Sequence, residues 1–233
     1  MTTIIHSKKF VFLRVPRTAS TSLSHFIGTR TQGVIEDAVQ TAVPEFLYRP
    51  KNELTVTDAV HDTLHMLVYS QLLTEEQVRT YRVFAVMRDP VDRFISVSYH
   101  INSWGNSRSF NRGYKTLPVE KHGVNDIVEY YLNIKNGTRP STGFDFMFLN
   151  QRRWLLYGNK YISDIIDYNR LDNGVEKMLK YLNLNPYYKL EFKHRSDERK
   201  DYGEPLDPIL ADRIRDSYKL DVELYSKIKN KVL

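Results

Sequence analysis

The chain has no cysteine among its 233 residues. That absence excludes disulfides, thiolate nucleophiles and cysteine-ligated metal centres. It also has no long hydrophobic run. No window approaches the 18 uninterrupted apolar residues of a membrane-spanning helix. Near the N-terminus, Phe10 to Leu13 supply only four apolar residues after Lys8 and Lys9, too few for a signal-peptide core. A cytoplasmic, non-membrane protein is the expectation. Internal repeats and low-complexity stretches are missing as well. What is present is an ordinary globular composition, with 41% hydrophobic and 27% charged residues. This argues against disorder and for a single domain over 1–233. Lys+Arg 34 against Asp+Glu 28 leaves a net charge of +6, which favours an anionic partner without saying which one.

Segment types alternate along the chain, as in α/β proteins. Strands are expected at Phe10 to Val15, Leu54 to Val60, Tyr81 to Met87 and Tyr161 to Ile166. The third is apolar almost throughout, as a buried parallel strand should be. Helices are expected from Ser20 to Ile27, Thr63 to Leu73, Pro90 to about Asn102, Val124 to Ile134 and Asp172 to Leu182. A last one starts at Asp207-Pro208, with Leu210, Ile214, Leu224 and Ile228 near one stripe. Asp89-Pro90 and Asp207-Pro208 each place a cap before a proline at the first helical position. Residues 103–122, 137–146 and 194–202 read as polar loops.

Two strand ends carry the chemistry. The first strand runs into Val15-Pro-Arg-Thr-Ala-Ser-Thr-Ser22, a tight turn of small hydroxyl residues that opens a helix. Backbone N–H groups of such a turn, and the helix N-terminus, can cradle an anion. The hydroxyls of Thr18, Ser20, Thr21 and Ser22 are expected to add donors, and Arg17 fixed charge. It is not the Walker loop, because the segment has neither glycine nor lysine. The second element, Arg88-Asp-Pro-Val-Asp-Arg-Phe-Ile-Ser96, also joins a buried strand to a helix. Ligands of open parallel sheets bind at that edge. Alone, each element could equally be a capped strand–helix turn.

Together, in this order, they resemble the sulfotransferases that use 3′-phosphoadenosine 5′-phosphosulfate (PAPS). VPRTASTSL is similar to the family's 5′-phosphosulfate loop, and RDPVDRFIS to its 3′-phosphate motif. The carbohydrate branch is closest, Golgi-type and especially the uronyl 2-O-sulfotransferases, where R-V-P-K-T-A-S-T-S stands against Arg14 to Ser22 here. The resemblance implies an α/β, P-loop NTPase-like three-layer fold, with a central four- to five-stranded parallel sheet flanked by helices. It implies PAPS as cofactor, without a metal. Residue by residue, it gives Arg17, Thr18, Ala19, Ser20, Thr21 and Ser22 to the 5′-phosphosulfate, and Arg88 and Ser96 to the 3′-phosphate. Arg93 matches the motif as a residue that orients its neighbours. Ser196, Arg199, Lys200 and Tyr202 would close over the nucleotide, and Arg14 would touch the acceptor. One departure stands out: the family's catalytic lysine is Arg17 here. Arginine can stabilise charge on the leaving phosphate but cannot serve as a proton source.

Transfer to an acceptor hydroxyl also calls for a general base. His61 and His65 stand between the two motifs, at a spacing that lets them share a helix face. His61, in His-Asp-Thr-Leu64, fits the family's local context. His65 fits its usual distance to the second motif. The choice stays open, with His61 favoured and His100 a more distant candidate. Asp62 could orient an imidazole or cap the helix. No metal is called for, since the glutamate of H-E-x-x-H and a third ligand are both missing. Basic and aromatic residues interleave around Arg112 and Arg152, as an acidic saccharide acceptor would favour. A kinase-like nucleotide enzyme and a basic nucleic-acid-binding module are the alternatives.

Overall fold

Thr2–Ile5 (β1) and Phe10–Leu13 (β2) are β-branched and aromatic runs separated by only four residues. In the computed structural model, which describes residues 2–31, 38–41, 61–106, 123–137, 145–186 and 204–230, they form an antiparallel hairpin with Ile4 opposite Val11. The turn closes on a bond from the Lys9 amide to the His6 carbonyl, with Lys9 in the left-handed region. So short a link cannot make a crossover, so the two strands cannot be parallel.

The sheet has five strands in the order β3-β1-β2-β4-β7. The third strand is Ala38–Thr41 (β3), antiparallel to β1. Arg82–Met87 (β4) pairs with β2 in parallel, and Asp164–Asp167 (β7) pairs with β4 in parallel. The expected all-parallel sheet is therefore corrected. Four strands run one way, and β1, unrecognised in the sequence, runs against them. A further hairpin, Leu156–Tyr157 (β5) with Lys160–Tyr161 (β6), stands apart. The strand expected over Leu54 to Val60 lies outside the described residues.

Alternation along the strands splits the core into two faces. Phe10, Phe12, Phe84 and Val86 face one layer. It is built from Ser20–Thr31 (α1) and Leu171–Leu182 (α7), through Leu23, Ile27, Val175 and Leu179. Gly174 lets α7 press onto β7, because a Cβ there would lie 2.2 Å from Ile166 Cγ2. Val11, Leu13, Val83, Ala85 and Met87 face the other layer. That layer holds Leu64–Tyr69 (α2), Glu75–Thr80 (α3), Arg152–Leu155 (α6) and Lys219–Lys229 (α9). Pro90–Asn106 (α4), Val124–Lys135 (α5) and Pro208–Ser217 (α8) form a third cluster around Phe94, Tyr131 and Ile214.

Several expected boundaries move. Thr63, not Asp62, caps α2, which ends at Tyr69 rather than Leu73. Asp172 lies in the first turn of α7 and does not cap it. The last helix breaks at Tyr218, whose hydroxyl reaches the Phe148 carbonyl.

Candidate functional site

Strands β2 and β4 are parallel neighbours, with Leu13 opposite Ala85, so both motifs begin at one edge of the sheet. In the turn after β2, Arg17 and Ala19 adopt φ of 62° and 60°. Left-handed backbone costs a non-glycine residue about 1–2 kcal/mol. Left-handed residues alternating with others are the backbone pattern found in anion-binding nests. Strain of this kind persists where the surroundings enforce it, and it collects at ligand clamps.

Thr18 Oγ1 and Ser20 Oγ both donate to the Val15 carbonyl, at 2.9 and 2.8 Å. The left-handed residues fold these side chains back onto a carbonyl two residues past the end of β2. In this arrangement they brace the turn. Thr21 accepts from Arg14 Nη2 at 2.6 Å. Ser22 is buried at the start of α1.

The second motif is a regular helix start. Asp89 Oδ1 accepts from the amides of Val91 and Asp92, capping α4. Arg88 is only 3% exposed. Gln151 clasps its backbone at both ends: the Arg88 amide donates to Gln151 Oε1, and Gln151 Nε2 donates to the Arg88 carbonyl. Arg88 Nη1 donates to the Arg17 carbonyl at 3.3 Å. Its Nε and Nη2 have no hydrogen-bond partner among the described residues. Asp92 stays 3.8 Å from Nη2, and the Tyr168 ring lies 4.6 Å from the guanidinium carbon. Leaving a buried charge so incompletely paired is expensive, so the residue fits a position made for an anion.

The motifs meet through Arg17. Its Nε donates to Ser96 Oγ and its Nη1 to His100 Nδ1, each at 3.2 Å. Below them Arg93 is 1% exposed and spends its guanidinium on the carbonyls of Pro16, Leu149 and Met147. It ties the first turn to the chain before α6.

The two histidines are not on one helix face. His61 precedes α2, and its Nδ1 donates to the Arg14 carbonyl at 2.8 Å. Since a carbonyl can only accept, the hydrogen sits on Nδ1 and the lone pair on Nε2. Burial, with help from the Arg14 and Arg93 charges, lowers its pKa to about 3 although the Arg14 bond opposes this. His65 is exposed on α2, its ring 4.6 Å from that of Tyr157. Asp62 is buried against Thr2.

Sequence reasoning missed how these pieces are held. Trp154 Nε1 donates to the His61 carbonyl at 2.9 Å. The fully buried Asp221 carboxylate accepts the amides of Gln151 and Arg152. Burial raises its pKa, while those two amides oppose the rise. Asp221 thus anchors the short α6, which holds Arg88 through Gln151 and His61 through Trp154. A charged residue within the apolar stripe of the last helix was the available signal.

Arg152 is half-buried, with Nε lacking a partner among the described residues. Arg112, Ser196, Arg199, Lys200 and Tyr202 lie outside the described residues. Among those described, no acidic, histidine or cysteine cluster could hold a metal, and no helix is long and apolar enough to cross a membrane.

A family model described as the Sulfotransferase family matches residues 1–227. No curated protein and no solved structure gives a significant match.

Proposed function

The chain belongs to the sulfotransferase family, and from that premise we propose that it moves the sulfuryl group of PAPS to a hydroxyl of a carbohydrate acceptor. One observation carries the reading. The buried, half-partnered Arg88 touches the Arg17 carbonyl, and Arg17 touches Ser96, so both anion motifs form one continuous site. A nucleotide bearing phosphates at both ends fits such a site better than one bearing a single group. In this reading the sheet and its helix layers are the family's P-loop-like arrangement.

When bound, PAPS supplies a sulfuryl group on a phosphate leaving group. The chain's residues do the rest. Amides of the strained Arg17–Ala19 turn and the N-terminus of α1 hold the 5′ end. Arg88 and Ser96 hold the 3′-phosphate. His61 Nε2 takes the acceptor's proton as the oxygen–sulfur bond forms, since the bond from Nδ1 to the Arg14 carbonyl leaves the lone pair on Nε2. The Arg17 guanidinium would meet the negative charge left on the phosphate as the sulfuryl group departs. Arg14, beside Thr21 and joined to His61 by its carbonyl, would contact the acceptor, and Arg112 and Arg152 are offered as further contacts to it.

The test uses PAPS labelled in its sulfur, with uronic-acid-containing and neutral saccharides. Label should pass to a saccharide without Mg²⁺ or ATP. His61→Gln should lower that rate by about 10²-fold or more while keeping affinity for the desulfated product, 3′-phosphoadenosine 5′-phosphate (PAP). Phosphoryl transfer from ATP, or salt-sensitive RNA binding with no sulfuryl transfer, would overturn the reading.

A further inference from the structure

His100 lies on α4 one turn beyond Ser96, so the two share a helix face. Arg17 lays its side chain across that face, Nε on Ser96 and Nη1 on His100. Because a guanidinium donates to His100 Nδ1, that nitrogen carries the lone pair and the neutral ring has its hydrogen on Nε2. The ring's basic nitrogen is therefore turned to a cation, which removes His100 from the candidate bases. His61 has the opposite tautomer, with its basic nitrogen on the far side of its bond to Arg14.

A guanidinium presents five N–H groups in one plane. In Arg17 two of its nitrogens, Nε and Nη1, reach two acceptors, which fixes the direction of the plane. An ammonium has three N–H groups, but all leave one nitrogen, so the acceptors it serves must lie closer together. An arginine in the lysine position can therefore use a second, more distant acceptor on α4, and His100 is placed as that acceptor. A fork already oriented loses less side-chain freedom when the nucleotide arrives.

We propose that His100 is a positioning residue for Arg17, holding its guanidinium at the junction of the two anion motifs beside Ser96, so that arginine serves where the family pattern has lysine. The inference rests on the sulfotransferase reading above.

The experiment is calorimetric titration with PAP of the wild type, H100L, H100N, R17K and R17K/H100L, with melting temperatures alongside. In Asn, Oδ1 can take the place of Nδ1 as acceptor. H100L should weaken PAP binding about 10-fold, and H100N should stay within about 3-fold of wild type. In the R17K background, H100L should change affinity by less than about 2-fold, because the coupling needs the fork. Equal losses in both backgrounds, no loss at all, or an H100N as weak as H100L would overturn the proposal. If the wild type binds PAP and the coupling is missing, only His100's role falls. If the wild type does not bind PAP, the sulfotransferase reading falls with it.

Discussion

Two buried arginines in one motif face opposite surroundings. Arg93 sits in the floor of the site and gives its guanidinium to three backbone carbonyls. Arg88 sits at the mouth and leaves two nitrogens without a hydrogen bond among the described residues. Both are nearly inaccessible. The floor is satisfied and therefore holds the fold, whereas the mouth is left incomplete in a way that suits an anion. The first turn repeats the contrast. The Thr18 and Ser20 hydroxyls are spent on the Val15 carbonyl, while Arg17 and Ala19 keep strained left-handed backbone beside them.

The sharpest break of this comparison is a pair of methionine substitutions followed by urea unfolding. Arg93→Met should cost about 3 kcal/mol or more, since three carbonyls lose their donor. Arg88→Met should cost less than about 1 kcal/mol, because it removes a poorly paired buried charge. Equal losses would erase the distinction. Next comes Asp221→Ala, which strips the acceptor from the amides of Gln151 and Arg152. A loss of about 2–3 kcal/mol is expected in the same assay.

A smaller effect concerns pH. His61 has a lowered folded-state pKa, so the unfolded chain binds its proton first as pH falls. Its contribution is complete above about pH 6.5 and is lost progressively toward its folded value of about 3. Between pH 6.5 and 5.5 this amounts to about 1 kcal/mol. His61→Gln should flatten that part of the stability profile, and an unchanged slope would contradict the assignment. Smallest is Ala19→Gly at φ 60°. Relief of the left-handed strain is offset by glycine's greater unfolded entropy, so stability should change by no more than about 1 kcal/mol. A large loss in thermal melts would mean that the turn is not strained as described.

Local signals made much of this legible in the sequence. The apolar run ending at Met87, the Asp89-Pro90 cap and the hydroxyl-rich turn mark strand ends and helix starts without tertiary knowledge. The hairpin partner β1 escaped because four residues, Thr2 to Ile5, give too short a pattern to register. The pairing of His61 with His65 on one face failed for a related reason. Thr63 starts α2 after His61, so the i,i+4 spacing never becomes a helical turn. The clasp of Gln151, Trp154 and Asp221 joins residues roughly 60 to 90 positions from their partners, and no local pattern encodes that. Arg17 shows the reverse case, where a single substitution in a motif pointed to a second residue, His100, that only the structure brings to it.

The central claim is that one site binds a nucleotide phosphorylated at both ends. The most direct measurement is calorimetric titration of the wild type and Arg88→Met with PAP and with adenosine 5′-phosphate. The wild type should bind PAP at least about 100-fold more tightly than adenosine 5′-phosphate, and Arg88→Met should remove most of that preference while remaining folded. Equal binding of the two nucleotides, or a preference that survives in Arg88→Met, would contradict it.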